Sequence, residues 1–136
     1  MSTNRLSRAE ANEIASQWRN AVDALVDRVR GWSAERGWTA TVSDREVTEE
    51  GLGIYQVPAV EIATPQGHLL LEPIARYVGG ADCRVDLSVY PSLYRVMLLR
   101  RSDQSWVVHT ESGIDWPFQW GKDTFLDLAN RLLKVA

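Results

Sequence analysis

The hydrophobic pattern of the chain changes its period at Gly37, and this change constrains the fold more than any other feature. Before Gly37, large apolar residues recur every three or four positions, as on one face of an α-helix: Ile14, Trp18, Val22, Leu25, Val29 and Trp32. Ser7 and Glu10 have the spacing of a helix capping box, and glycine is a common residue just after a helix. The pattern predicts one long helix close to residues 8–35.

After Gly37, apolar and polar residues alternate, and turn residues interrupt the alternation at short intervals. This pattern is typical of strands, and the connections are too short for the crossovers that parallel strands need. The sequence therefore predicts an antiparallel meander of about six strands, near residues 38–47, 54–63, 68–78, 83–90, 94–101 and 106–110.

Two of these predicted strands carry further detail about the sheet. In the strand over 68–78 the apolar side chains change parity around Glu72 and Pro73, which predicts a bulge or bend there. In the strand over 83–90, apolar residues alternate strictly with others: Val85, Leu87 and Val89 against Arg84, Asp86, Ser88 and Tyr90. We expect one face of that strand to be buried and the other to face solvent.

A second helix is predicted over about residues 122–134, because apolar side chains share one side of it: Phe125, Leu128, Ala129, Leu132 and Leu133. The order of one long helix, about six strands and one helix indicates an α+β fold with both helices packed on one face of the sheet. At 136 residues, a single α+β domain over residues 1–136 is expected. The apolar stripe of the long helix suits a core or a dimer interface, so the oligomeric state stays open.

Cysteine content and the N-terminal residues bear on the cellular compartment. Cys83 is the only cysteine, so no disulfide can form within the chain, which fits a reducing compartment. The first residues lack the apolar stretch of a secretion signal, and every apolar run is too short to cross a bilayer. We expect a soluble cytoplasmic protein that does not enter a membrane.

Residues with reactive side chains do not form a recognised motif. His68 and His109 lie on predicted strands without the spacing of a catalytic or metal site. The glycine pairs lack the fingerprints of phosphate or dinucleotide loops. We therefore expect no catalytic residue, no metal and no cofactor. A small enzyme that uses Glu72, Glu111, Asp115 or His109 is a less favoured alternative.

Charge is distributed unevenly along the chain. Residues 38–72 contain one arginine and six carboxylates, whereas residues 73–101 contain five arginines and two aspartates. Arg76, Arg84, Arg95 and Arg101 mark a candidate basic sheet face, and tyrosines interleave with them in a pattern that can bind nucleic acid. A pI of 5.4 and a net charge of −3 argue against nucleic acid as a partner. Pairing of these arginines with carboxylates across the sheet is the simpler explanation.

Residues 114–120 gather three large aromatic side chains and a proline where regular helix is excluded. Trp116, Phe118 and Trp120 either cover the end of the core or anchor a partner, and both roles can coexist if alternate rings face opposite ways. Glu111 and Asp115 would form a polar rim around an exposed ring. These five residues are the candidate binding site.

The sequence favours a non-enzymatic protein-binding module that uses its sheet face, its acidic 38–72 stretch or the aromatic segment. In outline the chain is similar to secretion chaperones and to immunity or antitoxin proteins of bacteria, and this similarity is architectural, without a shared motif. The second hypothesis is a small-ligand or carbohydrate-binding domain that uses the 114–120 aromatic segment. A small enzyme and a nucleic-acid binder are the remaining alternatives.

Overall fold

The computed structural model describes residues 7–75, 83–101, 103–109 and 120–136. In chain order, the elements are two helices that enclose six strands: α1 (Arg8–Glu35), β1 (Thr39–Glu49), β2 (Gly53–Thr64), β3 (Gly67–Ala75), β4 (Cys83–Tyr90), β5 (Arg95–Arg100), β6 (Trp106–His109) and α2 (Lys122–Lys134). Each predicted element is present. The predicted residues 76–78 of the third strand and residue 110 of the last lie outside the described residues.

Helix α1 buries the centre of the predicted apolar stripe: Trp18, Val22, Leu25 and Val29. The capping box is confirmed, because the Ser7 hydroxyl accepts the Glu10 N–H at 3.1 Å and the Ser7 N–H donates to Glu10 Oε1 at 3.1 Å. The hydrogen bond from the Ser7 backbone N–H lowers the pKa of the Glu10 carboxyl, and the Ser7 hydroxyl makes a smaller contribution in the same direction. The helix ends at Glu35, and Gly37 adopts a φ of +72°, which glycine tolerates without the clash of a Cβ.

The six strands form one open antiparallel sheet in the order β1-β2-β3-β4-β5-β6, so each strand pairs with its neighbour in sequence. We call the face that packs on the helices the inner face. Strand register places three apolar rows on it: Ile62, Leu69 and Val89; Val60, Leu71, Leu87 and Val96; and Pro73, Val85, Leu98 and Val108. Every member of these rows is buried, so the rows form the centre of the core.

The predicted irregularity in β3 is confirmed one residue beyond Pro73. Pro73 pairs with Val85 and Ala75 with Arg84, so Ile74 is the extra residue of a bulge. A bulge here agrees with the irregularity expected around Glu72 and Pro73, although Ile74 itself is 41% exposed.

Strand β2 separates from β3 in its first half. Within the described residues, β2 pairs with β3 only over 60–64, whereas residues 53–59 pair with β1 alone. Arg19 of α1 donates to the Gln56 carbonyl oxygen at 2.9 Å and to Asp44 Oδ1 at 3.3 Å, so the helix holds this part of the hairpin. Residues 57–60 are all buried, which shows that β2 is covered on both sides there.

Helix α2 buries its predicted apolar side and meets α1 through aromatic rings. The Phe125 ring lies 5.7 Å from the Trp32 ring and 6.5 Å from the Trp38 ring, measured between centroids. Lys122 Nζ contacts Glu35 Oε1 at 2.7 Å. The predicted α+β fold, with two helices packed on one face of an antiparallel sheet, is confirmed.

Candidate functional site

The outer face of the sheet, opposite the inner apolar rows, is where charged side chains collect. Register places its residues in three cross-strand rows: Glu61, Leu70, Ser88 and Arg95; His68 and Tyr90; and Glu72, Asp86, Met97 and His109. Arg45 of β1 and Arg84 of β4 have the same facing by alternation. The outer face is therefore mixed in character, whereas the inner face is apolar.

Asp86 is buried on the outer face, where we expected a solvent-facing residue. Only 3% of it is exposed, so the expectation is wrong at this position. Arg84 stands two positions earlier on β4, on the same face, and makes a bidentate contact: Nε donates to Oδ1 at 2.8 Å and Nη2 to Oδ2 at 2.9 Å. Arg95 Nη1 lies 3.8 Å from the same Oδ2. These arginines compensate the buried carboxylate, which would otherwise be costly.

A second carboxylate lies beside the first. Glu72 of β3 pairs in register with Asp86, and like charges in such positions repel each other unless cations intervene. Arg45 Nη1 approaches Glu72 Oε2 at 3.8 Å. We call Arg45, Glu72, Arg84, Asp86 and Arg95 the charge network. It links four strands and contains three arginines for two carboxylates, so its net charge is +1.

The charge network contains two of the four arginines that the sequence predicts for the basic sheet face. Arg84 and Arg95 belong to it, and both contact Asp86. Arg101 is exposed in the turn before β6, where its backbone N–H donates to the Ser105 carbonyl oxygen at 2.8 Å. Arg76 lies outside the described residues. In the same turn, the Ser105 hydroxyl donates a hydrogen bond to the Asp103 carboxyl and lowers its pKa, and the Ser105 backbone N–H does so to a smaller extent.

A cavity of about 350 Å³ opens next to the charge network on the outer face, and we call it the outer cavity. Its walls include an aromatic ring, an aliphatic side chain and charged groups of both signs, from Arg45, Glu61, His68, Leu70 and Tyr90; Leu69, whose side chain faces the core, adjoins it. Within it, His68 Nδ1 lies 3.4 Å from Glu61 Oε1. Such a volume suits one or two side chains of a partner or a small molecule.

The turn that joins β4 to β5 exposes three large side chains, one of which lines this cavity. Tyr90, Leu93 and Tyr94, the turn cluster, are 63%, 64% and 60% exposed. Tyr90 also lines the outer cavity, so the two features are continuous. Exposed tyrosines next to arginines are typical of binding hot spots.

Leu93 adopts a backbone conformation that is unfavourable for its side chain. Its φ is +68°, in the left-handed region, which costs a leucine roughly 1–2 kcal/mol. The turn enforces this conformation, because the Leu93 N–H donates to the Val89 carbonyl oxygen at 2.7 Å and the Val89 N–H to the Tyr94 carbonyl oxygen at 2.9 Å. An exposed leucine gains little from burial in return, so neither packing nor turn geometry accounts for leucine at this position.

Of the candidate site over 111–120, only Trp120 falls within the described residues. Its ring lies 5.8 Å from the Trp32 ring and 5.9 Å from the Phe125 ring, and it is half-buried against the core. Glu111, Asp115, Trp116 and Phe118 lie outside the described residues. Their predicted roles stay predictions.

Two further candidates from the sequence, Glu72 and His109, occupy the same cross-strand row. Asp86 and Met97 stand between them. Three strand spacings correspond to about 14 Å, which is too far for the two side chains to act on one group. The structure therefore does not bring this pair together.

Sequence reasoning missed the turn cluster and the buried state of Asp86. The large aromatic and apolar residues on both sides of Pro91 and Ser92 were a usable signal for the turn cluster. The spacing of Arg84 and Asp86 likewise places both on one face of a strand, which was a signal for a pair.

Metal sites, membrane-spanning helices and similarity to known proteins are three further properties that bear on function. Among them, no group of three or more His, Cys, Asp or Glu side chains is arranged to hold a metal ion. No helix in the described ranges has the length and apolar character needed to cross a membrane. No protein-family model, no curated protein and no solved structure matches the chain.

Proposed function

We propose that this chain is a non-enzymatic protein-binding module and that its binding surface consists of the turn cluster and the outer cavity. The observation that carries the proposal is the exposure of Tyr90, Leu93 and Tyr94 on one turn, together with the position of Tyr90 in the wall of that cavity. Large rigid side chains at a projecting turn contribute contact area to a partner at a low cost in conformational entropy.

The energetics of Leu93 support a role in binding. Selection for stability alone favours glycine or asparagine at a left-handed position in a turn, and selection for solubility favours a polar residue. Leucine satisfies neither requirement, whereas a leucine that a partner covers recovers the free energy of apolar burial.

The charges around the turn cluster supply a polar rim. Arg45 and Arg95 are about half-exposed, and Glu61 and His68 carry charge or hydrogen-bonding groups at the edge of the cavity. Interfaces of this kind combine an apolar centre with polar groups that fix orientation. A partner with an apolar side chain for the cavity and carboxylates for Arg45 and Arg95 fits this surface.

Within this class, we propose a small acidic adaptor, chaperone or immunity-type protein. The acidic stretch over 38–72 supports it, because β1 and β2 present most of those carboxylates at one edge of the sheet. The alternatives of a carbohydrate-binding domain based on residues 114–120, a small enzyme and a nucleic-acid binder stay predictions.

The test compares partner capture by the unaltered chain and by a turn variant with Tyr90→Ser, Leu93→Asn and Tyr94→Ser. A protein retained from the native host is identified, purified and titrated against both chains by calorimetry. Because each hot-spot residue is worth about 2 kcal/mol, we expect at least a 100-fold rise in Kd for the turn variant.

A matched control removes apolar surface elsewhere, through Ile54→Ser and Val135→Ser, two residues that are 66% and 48% exposed. This control variant should bind as the unaltered chain does. Equal binding by the turn variant, or equal loss in the control, would remove the turn cluster as the binding surface.

A further inference from the structure

A second cavity, of about 210 Å³, lies between α1, the end of β5, the β5–β6 turn, the start of β6 and Trp120, which stands two residues before α2. Its side walls include two indole rings, two guanidinium groups, one amide and one aliphatic group: Trp106, Trp120, Arg28, Arg100, Gln104 and Leu25. We call it the Arg–Trp cavity. It is separate from the outer cavity, because the described lining residues of the two have no member in common.

The charged side chains that line the Arg–Trp cavity are cations. Neither Arg28 nor Arg100 has a carboxylate within 4.0 Å among the described residues, whereas Arg19, Arg45 and Arg84 each have at least one. Arg100 pairs in register with Cys83 and Trp106, which places it on the helix side of the sheet, and it is half-buried. A half-buried guanidinium without a counter-charge is costly, so an anion in this cavity would be stabilised.

Trp120, which lines the cavity, also carries a buried donor. Its Nε1 atom is buried and has no hydrogen-bond acceptor among the described residues. Trp18 Nε1 and Ser33 Oγ share that state, but neither residue is among those that line the cavity. Two guanidinium groups therefore border the cavity and can donate to an oxygen anion, whereas the Trp120 N–H is buried and has no accessible surface there.

The remaining walls determine the shape of the ligand. Trp106 and Trp120 offer flat aromatic surfaces, and Leu25 offers an aliphatic one. An apolar cavity of about 150 Å³ holds one benzene ring, so about 210 Å³ has room for a ring with one small substituent. Aromatic rings stack on indole faces and carboxylates bind guanidinium forks.

We infer that the Arg–Trp cavity is a binding site for a small planar carboxylate, such as a single-ring aromatic acid. Arg28 and Arg100 contact the carboxylate, and the two indole rings contact the ring of the ligand. The site is independent of the turn cluster, so it can be tested whether or not a protein partner exists.

The test follows the indole N–H resonances of the ¹⁵N-labelled chain by NMR while benzoate is added. Trp106→Phe and Trp120→Phe spectra assign the two relevant signals among those of six tryptophans. We expect benzoate to shift both signals in a saturable way, whereas benzamide and inorganic phosphate should each bind at least about tenfold more weakly.

Arg28→Gln and Arg100→Gln should each raise the benzoate Kd about tenfold or more, the loss expected for one charge-assisted hydrogen bond. Arg131→Gln on the exposed side of α2 is the matched control and should leave the Kd unchanged, since Arg131 does not line the cavity. Because Arg28 is exposed on α1, its variant keeps the test informative if Arg100→Gln folds poorly. Unmoved resonances, equal binding of phosphate or benzamide, or full affinity in the Arg28 variant would each overturn the inference.

Discussion

The two faces of the same strands show how differently burial is achieved in this sheet. On the inner face of β4, Val85, Leu87 and Val89 are buried because apolar neighbours on adjacent strands and helices surround them. On the outer face of β4, Asp86 is nearly as buried, but charged neighbours surround it. Side-chain burial alone therefore does not distinguish a core from a site. The chemistry of the neighbours does.

The inner face should respond most strongly to truncation. Leu87→Ala leaves a cavity in the middle of a fully packed row, and we expect the free energy of unfolding to fall by about 3 kcal/mol. Chemical denaturation of both chains measures the difference. Ser88→Ala, at the next and partly exposed position, is the control and should change stability by less than about 0.5 kcal/mol. A loss below about 1 kcal/mol for Leu87→Ala would show that the row is loosely packed.

The outer face should respond next, through its buried carboxylate. Asp86→Ala removes the partner of Arg84, and we expect a loss of about 2 kcal/mol, less than for a fully buried pair because Arg84 and Arg95 retain access to water. Adding Arg84→Met to this variant should recover much of the loss, because the more buried of the two guanidinium groups that faced Asp86 is then removed as well.

Glu72→Ala is the matched comparison within the charge network. Its contact with Arg45 is 3.8 Å long and half-exposed, so we expect a loss of no more than about 0.5 kcal/mol. Equal losses of stability for the Asp86 and Glu72 variants would mean that the buried ion pair of Asp86 contributes no more to stability than the half-exposed ion pair of Glu72.

The smallest expected effect has the opposite sign and lies in the turn between β4 and β5. Leu93→Asn places a residue that tolerates a positive φ in the turn, and we expect stability to rise by about 0.5 kcal/mol. Thermal and chemical unfolding measure this change. Ser92→Asn should leave stability unchanged. A destabilised Leu93→Asn chain would mean that the leucine serves the fold, in conflict with its proposed role in binding.

The sequence predicted the elements of the fold because periodicity reports directly on the inner face. The stripe of α1, the strict alternation in β4 and the parity change before Ile74 each depend on near neighbours in the chain. The exception is β2, where four consecutive residues over 57–60 are buried. Alternation cannot describe a strand that is covered on both sides, although an uninterrupted apolar run is consistent with that arrangement.

The candidate site was less predictable because it depends on register and on turn conformation. The proximity of Glu72 to Asp86 follows from which residues of β3 and β4 face each other, and the bulge at Ile74 shifts that register. The cavity beside Tyr90 requires side chains from β1, β2, β3 and β4 to converge. The left-handed φ of Leu93 could not be predicted either, since leucine seldom adopts it.

The meander has a consequence for how the chain folds. Every strand pairs with its neighbour in sequence, so the sheet forms by closing short loops, which favours rapid folding. The contact of Trp32 with Trp120, in contrast, joins positions 88 residues apart and depends on α2 reaching α1 across the sheet. Sheet formation thus involves contacts between residues close in sequence, whereas helix docking involves contacts between distant ones. The fluorescence of Trp32 and Trp120 should report helix docking, the slower of the two events.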